Sequence, residues 1–565
     1  MPPRRSLKKH DAAAESHTLK TRRQRTTTQV RKDKRHTTVQ IKRRHLVSTS
    51  CQPALSGRSI AELIGCLGDA NNASTVTLEE RFEALREIRG LLAITQEKKD
   101  GEHDIIEQLI ESGIVPVLVS LLNSAAPLLS ATRLDAEVYQ EVLWCLSNIA
   151  SGSYDHTKLV LPAVPRLVQF LESSNQSLAG HAAWTIGNIA ADCNEFRQHL
   201  IANGVVDPLV KQLSNFKEQE VAKTSAWALS NLARGFETLA RPFVEAGIVS
   251  VLVKGLAPPR SSASFSDEVV VEVAWLLSFL TAREEEYLRL MLDSGLVEFL
   301  LPDFSTSDEA LLTPILRVFG NVCCGSLDHH TDVWQLPYVH RLLTAESVAF
   351  LPKLCGFLQR AGAQQTTLAV EAAWVVSNLA ATEAAIVDQL MQAQVLPLLG
   401  RQFKEGSYDV RREVAFALTN IALTSAAHLE DVLALDVVKG FLHLLAVADV
   451  AVVGTSLRFI ENVLRVAPQG VSLLELHEGI DALETVQFEC GEEHLSQWAA
   501  ALVNEFYGEN YGVHSPPNAD TEFAGFGESS EEPMQLSFDV SQQASAPGTG
   551  GRGRGAHMTT PAWKK

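Results

Sequence analysis

Tryptophan and asparagine recur four residues apart along this chain. The heptapeptides "WCLSNIA" (144–150), "WTIGNIA" (184–190), "WALSNLA" (227–233) and "WVVSNLA" (374–380) share Trp, three residues, Asn, an aliphatic and Ala. "FALTNIA" (416–422) has Phe for Trp, and "WLLSFLT" (275–281) has Phe279 for Asn. "RVFGNVC" (317–323) and "RFIENVL" (458–464) keep Asn and put Arg in the Trp place. On a helix, residues i and i+4 share a face, so each Trp stands beside its Asn. An Asn amide offers one acceptor and two donors and can pair with both backbone groups of an extended peptide. Stacked helices lie about 8–10 Å apart and an extended chain rises about 3.3 Å per residue, so one repeat matches about three peptide residues. Successive Trp rings leave slots between them. A long aliphatic stem ending in a cation, that of Lys or Arg, fits such a slot through apolar contact and cation–π attraction. For one repeat alone, core Trp and an Asn bonded to the neighbouring turn is the favoured reading. Recurrence of Asn, a mediocre residue mid-helix, favours the peptide-binding ladder.

Acidic residues extend the pattern. Asp192 follows the second Trp helix, and Glu141, Glu272, Glu371 and Glu413 each stand three residues before a Trp position. These carboxylates are expected to pair the ammonium and guanidinium groups of a bound peptide.

The elements that position these residues are themselves repeated. Trp positions step 144, 184, 227, 275, and later 374, 416, 458, a period in the low-to-mid forties that is characteristic of armadillo and HEAT helical repeats. Between them recur "ESGIVPVLVSLL", "ANGVVDPLVKQL", "EAGIVSVLVKGL" and "DSGLVEFLL", in which Gly113, Gly204, Gly247 and Gly295 suit a tight turn between two short helices. Each unit therefore reads as short helix, Gly turn, helix, then a longer helix carrying Trp-x3-Asn. With weaker units at both ends ("RFEALREIRGLL" and "HLSQWAAALVNEF") there are about ten, an all-α solenoid over 76–507. Such a stack buries a continuous core between neighbours and has no central active-site cavity.

Charge is unevenly placed on the 565 residues, whose formal net charge is -18. Residues 1–45 hold 15 Lys/Arg and 3 Asp/Glu, a net of +12, which leaves the remainder at -30. A basic tail on an acidic body can dock on that body or find an acidic partner. The eight cysteines are scattered without metal spacing and read as buried thiols of a reducing compartment. No apolar signal segment opens the chain, and its longest apolar run, near 441–454, contains Asp449 and is too short to span a bilayer. A cytosolic or nuclear protein is expected. No HExxH, P-loop or nucleophile motif is present, and "GTGGRGRG" near the C-terminus neither follows a strand nor opens a helix. An enzyme, a cofactor and a metal site are therefore not expected. Residues 49–75 read as a flexible linker and 508–565 as a disordered acidic, Gly-rich tail.

"WCLSNIASGSYDHTK", "WTIGNIAADCNEFR", "WALSNLAR" and "EAAWVVSNLA" resemble importin-α (karyopherin-α), the armadillo-repeat adaptor for basic nuclear localisation signals. "TRRQRTTTQVRKDKRHTTVQIKRR" resembles that family's importin-β-binding segment, assigned here to 1–48. The resemblance covers about 18–507 and implies a right-handed superhelical solenoid. It implies a major signal site at Trp144/Asn148, Trp184/Asn188 and Trp227/Asn231, with Gly152, Thr157 and Asp192 around the most buried lysine. It implies a minor site at Arg317, Asn321, Glu371, Trp374, Asn378, Glu413 and Asn420. Arg22, Arg23, Arg25, Arg31, Lys32, Lys34, Arg35, Lys42, Arg43 and Arg44 are the expected importin-β contacts. Of these, Lys42-Arg43-Arg44 resembles a cargo signal and is expected to fold back onto the major site as an autoinhibitor. The implied partners are signal-bearing cargo, importin-β and an export receptor of the CAS type. The implied protein shuttles between cytoplasm and nucleus, without membrane or nucleic acid partners, as a monomer or weak self-associate. Departures are Phe416 in place of the second minor-site Trp, a loop after Gly325 that is one residue longer, and His181 where the family usually has Gln. The first two are expected to weaken the minor site or change its selectivity. A generic armadillo scaffold is the competing reading, but its groove would be basic and lack the Asn ladder.

Overall fold

In the computed structural model the described residues are 57–68, 76–93, 105–123, 132–235, 239–261, 263–282, 284–324, 335–345, 349–359 and 366–508. They belong to a single unit, and their regular structure is entirely helical. The basic segment, the loop after Gly325 and all but Gly508 of the C-terminal tail lie outside them.

Ten longer helices recur in register along the chain. They are α1 (Leu78–Ala93), α2 (Arg133–Ile149), α3 (Gln176–Asp192), α4 (Gln219–Leu232) and α5 (Asp267–Leu280), then α6 (Glu309–Cys323), α7 (Thr366–Leu379), α8 (Tyr408–Ala422), α9 (Val450–Val466) and α10 (Glu493–Tyr507). Each packs on the one before and the one after, the stacking of an armadillo solenoid. Local sequence starts them. Thr132 and Asp135 form a capping box before α2, Asn175 caps α3, and Asp449 caps α9, each satisfying a backbone N–H that has no partner within the helix.

Two shorter helices precede most of these, for example Asn194–Ala202 and Val206–Leu213 before α4. Their apolar faces join one continuous core from Leu63 to Leu502. The turns between them use left-handed backbone at Gly113, Gly204, Gly247 and Gly295, with φ of 80°, 75°, 81° and 75°. Later turns take the same conformation without glycine, at Gln394 (φ 58°), Asp436 (φ 55°) and Glu478 (φ 60°).

Two expectations are corrected. After Gly295 the second short helix is replaced by two 3-10 turns, Glu298–Leu300 and Pro302–Ser305. Pro302 lacks the N–H that would continue a helix, and Phe304 instead packs against Phe319, Phe350 and Phe357. Within the expected linker, Ile60–Gly65 is a helix with a Ser59/Glu62 capping box. Leu63 and Leu67 are buried, and the helix packs on α1.

Candidate functional site

The Trp-x3-Asn residues stand in register on α2, α3, α4 and α7. Apart from Asn148, the Asn amides reach the preceding long helix. Asn188 Nδ2 donates to Ser147 O and Oγ, both at 2.9 Å. Asn231 Nδ2 donates to Gly187 O (3.2 Å), Asn378 to Gly320 O (2.9 Å) and Asn420 to Ser377 O (2.8 Å). Asn321 Nδ2 donates to Ser278 O and Thr281 Oγ1, both at 2.9 Å. The bond to the neighbouring turn is thus made, and it tethers successive long helices. It uses the amide nitrogen and leaves the carbonyl oxygen outside this bond. Asn148 differs: its Nδ2 is buried and has no hydrogen-bond partner among the described residues.

The tryptophans divide into two sets. Trp144, Trp184 and Trp227 are half-buried, whereas Trp374 and Phe416 are only 2% and 3% exposed. Trp144, Ser147, His181 and Trp184 line a shallow slot of about 10 Å³ that opens to solvent. The His181 ring lies 5.3 Å from that of Trp144, tilted by 51°. Two glycines seat other rings. A Cβ at Gly187 would lie 2.2 Å from the Trp227 ring, and one at Gly320 would lie 1.7 Å from that of Trp374. Sequence reading passed over both glycines, although "TIGN" and "VFGN" differ at that one place from the Ser of the sister motifs.

The expected lysine pocket is brought together from three elements. Thr157 is fully buried, and its Oγ1 contacts Asp192 Oδ2 at 2.9 Å, Ser153 O at 3.0 Å and Ala150 O at 3.2 Å. Gly152 lies beside His156, whose Nδ1 would be 2.5 Å from an added Cβ. His156 Nε2 meets Glu107 Oε1 at 3.0 Å.

Two of the carboxylates expected to face a peptide, Glu141 and Glu371, carry internal partners. Glu141 Oε2 is 2.7 Å from Arg89 Nε, and that guanidinium lies 4.3 Å from the Trp144 ring centroid. Glu371 Oε1 is 2.9 Å from Arg317 Nε, and Arg317 lies 4.8 Å from the ring of Trp275. Arg317, in the Trp place, thus stacks on the preceding Trp, whereas Arg458 lies 5.0 Å from the ring of Trp498 in the following repeat. Burial pushes the Glu141 carboxyl above its ordinary value in spite of Arg89 and Arg86. Glu272 and Glu413 are buried. Arg89 carried no repeat signal in the sequence, because α1 has neither Trp nor Asn.

These observations define an armadillo-class helical-repeat protein. Residues 193–234 match the family model described as Armadillo/beta-catenin-like repeat, and 140–189 match HEAT-like repeat. The crystal structure of an engineered protein superposes with a TM-score of 0.60 at 24% identity, covering 79% of this chain and 98% of that one, which supports the fold alone. Importin subunit alpha-9 of Arabidopsis thaliana is 31% identical over 450 residues, 77% of this chain and 81% of the relative. Importin subunit alpha-2 of Oryza sativa subsp. japonica is 29% identical over 478 residues, 82% of this chain and 84% of the relative. The chain belongs to the importin-alpha family, whose members are nuclear import adaptors and not enzymes.

Proposed function

We propose that this chain binds Lys/Arg-rich nuclear localisation signals of cargo proteins along its Trp/Asn face and links them to importin-β through residues 1–48. The observation that carries this reading is the row Trp144, Trp184, Trp227. Three half-buried rings on consecutive stacked helices stand beside Asn148, Asn188 and Asn231, with an open slot between the first two. A lysine stem fits between indole faces, and the Thr157–Asp192 pair supplies an anionic end to the site. Arg317, Asn321, Glu371, Trp374, Asn378, Glu413 and Asn420 form the minor site in this proposal. Its aromatics are more deeply buried and Glu371 is paired internally, which supports weaker cation binding there.

In this reading the body spans 76–507. Lys42-Arg43-Arg44 occupies the major site until importin-β takes the tail, and a CAS-type receptor returns the emptied adaptor to the cytoplasm. Binding of a labelled lysine-rich peptide to the full chain, to a chain beginning at residue 51, and to the Asn148→Ala/Asn188→Ala/Asn231→Ala variant tests it. The shortened chain is expected to bind more tightly than the full chain, and the triple variant not at all. Equal, tight binding by both lengths removes autoinhibition, and unchanged binding by the triple variant overturns the site.

A further inference from the structure

Resting on the signal-binding reading above, we propose that His181 is a direct ligand of the peptide cation in the Trp144/Trp184 slot and makes that slot proton-sensitive. His181 Nδ1 lies 2.8 Å from the carbonyl oxygen of Ser177. A carbonyl only accepts, so Nδ1 carries the hydrogen, and the neutral ring keeps its lone pair on Nε2. Of the four residues lining the slot, Trp144 and Trp184 offer ring faces and Ser147 a hydroxyl. His181 adds a neutral nitrogen acceptor, which suits the three donors of a lysine ammonium.

Protonation reverses this. Nε2 becomes a donor, and a positive ring stands 5.3 Å from Trp144, where the peptide cation would stack. Arg89 already lies over Trp144, so an imidazolium would be a second internal cation at that ring. The surrounding charges oppose it. On α1, Arg89 adds to burial in holding the His181 pKa below its ordinary value, with the Ser177 bond opposing them. On α2, Glu141 is paired with Arg89 and Glu137 with Arg133. On α4, Glu220 and Lys223 flank Val221, which touches the position of Gly180, and Lys223 is paired with Glu268. His181 is therefore neutral at neutral pH. Its contribution to binding is present above its folded pKa and is lost as pH falls through it.

The test is fluorescence anisotropy of the native chain from residue 51 onward, which lacks the competing Lys42-Arg43-Arg44, with a capped, labelled peptide whose only titrating groups are lysines, from pH 7.5 to 5.5. The native chain is expected to lose affinity toward pH 5.5, the loss setting in only as pH falls through the lowered pKa of His181. His181→Gln, which keeps an acceptor and does not titrate, is expected to bind normally at pH 7.5 with a flattened profile. His181→Phe, which keeps a ring without the acceptor, is expected to bind about three- to tenfold more weakly at pH 7.5, again with a flat profile. Far-UV dichroism and thermal midpoints verify that both variants fold. A flat native profile overturns the inference, as does an undiminished slope in His181→Gln, which would assign the titration to another group. Unchanged affinity of His181→Phe at pH 7.5 also overturns it. Absence of peptide binding at every pH by the chain beginning at residue 51, which lacks the competing Lys42-Arg43-Arg44, overturns the signal-binding reading itself, and this inference with it.

Discussion

Gly320 shows how one missing side chain sets an aromatic in place. The Trp374 ring lies where its Cβ would be, so Gly320→Ala must displace either the ring or α6. Overpacking of this kind costs about 1–3 kcal/mol. Denaturant unfolding of Gly320→Ala is expected to show that loss, with a changed near-UV signal from Trp374. Arg89 is a second case. It neutralises a Glu141 carboxyl that burial already raises. Arg89→Ala leaves that carboxylate without its closest cation, at a cost of about 1–3 kcal/mol at pH 8. Removing the guanidinium raises the folded-state pKa of Glu141 further. A group whose folded pKa lies above its unfolded value loses stability as pH rises through it. The deficit of Arg89→Ala against the native chain should therefore be larger at pH 8 than at pH 5, and thermal midpoints at the two values check this. A constant deficit would remove Glu141 from the explanation.

At the scale of elements, the turn between the two short helices is the recurring demand. Gly113 and Gly204 meet it with left-handed backbone, while Gln394, Asp436 and Glu478 adopt the same region with a Cβ. That conformation costs a residue other than Gly about 1–2 kcal/mol, partly offset by the greater freedom of Gly in the unfolded chain. Gln394→Gly and Glu478→Gly are expected to raise stability by up to about 1 kcal/mol, and Gly204→Ala to lower it by about the same. Thermal midpoints of the three variants check the sign. The glycine turns were legible in the sequence because only Gly takes this backbone freely. The later turns were not, since Gln and Glu carry no such mark and Asp only a weak one. The 3-10 turns after Gly295 were missed for a related reason. "GLVEFLLP" has an apolar pattern that suits a helix, and Pro302 stops it within a turn.

Across the whole molecule, charge separation is the dominant long-range feature, +12 on the first 45 residues and -30 on the remainder. Exposed charges beyond a Debye length, about 8 Å at physiological salt, are screened. Affinity of the chain beginning at residue 51 for a lysine-rich peptide is expected to fall about tenfold between roughly 0.05 and 0.5 M salt. A salt-independent affinity, measured by anisotropy, would mean that indole contacts alone hold the peptide. The sequence by itself determined the repeat, the all-helical class, the glycine turns and the shared face of each Trp and Asn. These follow from rules acting over one helical turn or one unit, so every unit carries them in its own residues. Only the tertiary structure decided where the polar groups go. Asn188 meets Ser147, Arg89 meets Glu141 and Trp144, and Thr157 meets Asp192. The first two contacts join one repeat to the next, and Thr157–Asp192 joins the first helix of a unit to the end of its last. Stacking distance and helix register create them, and no periodic pattern within a single unit records which side chain its neighbour will present.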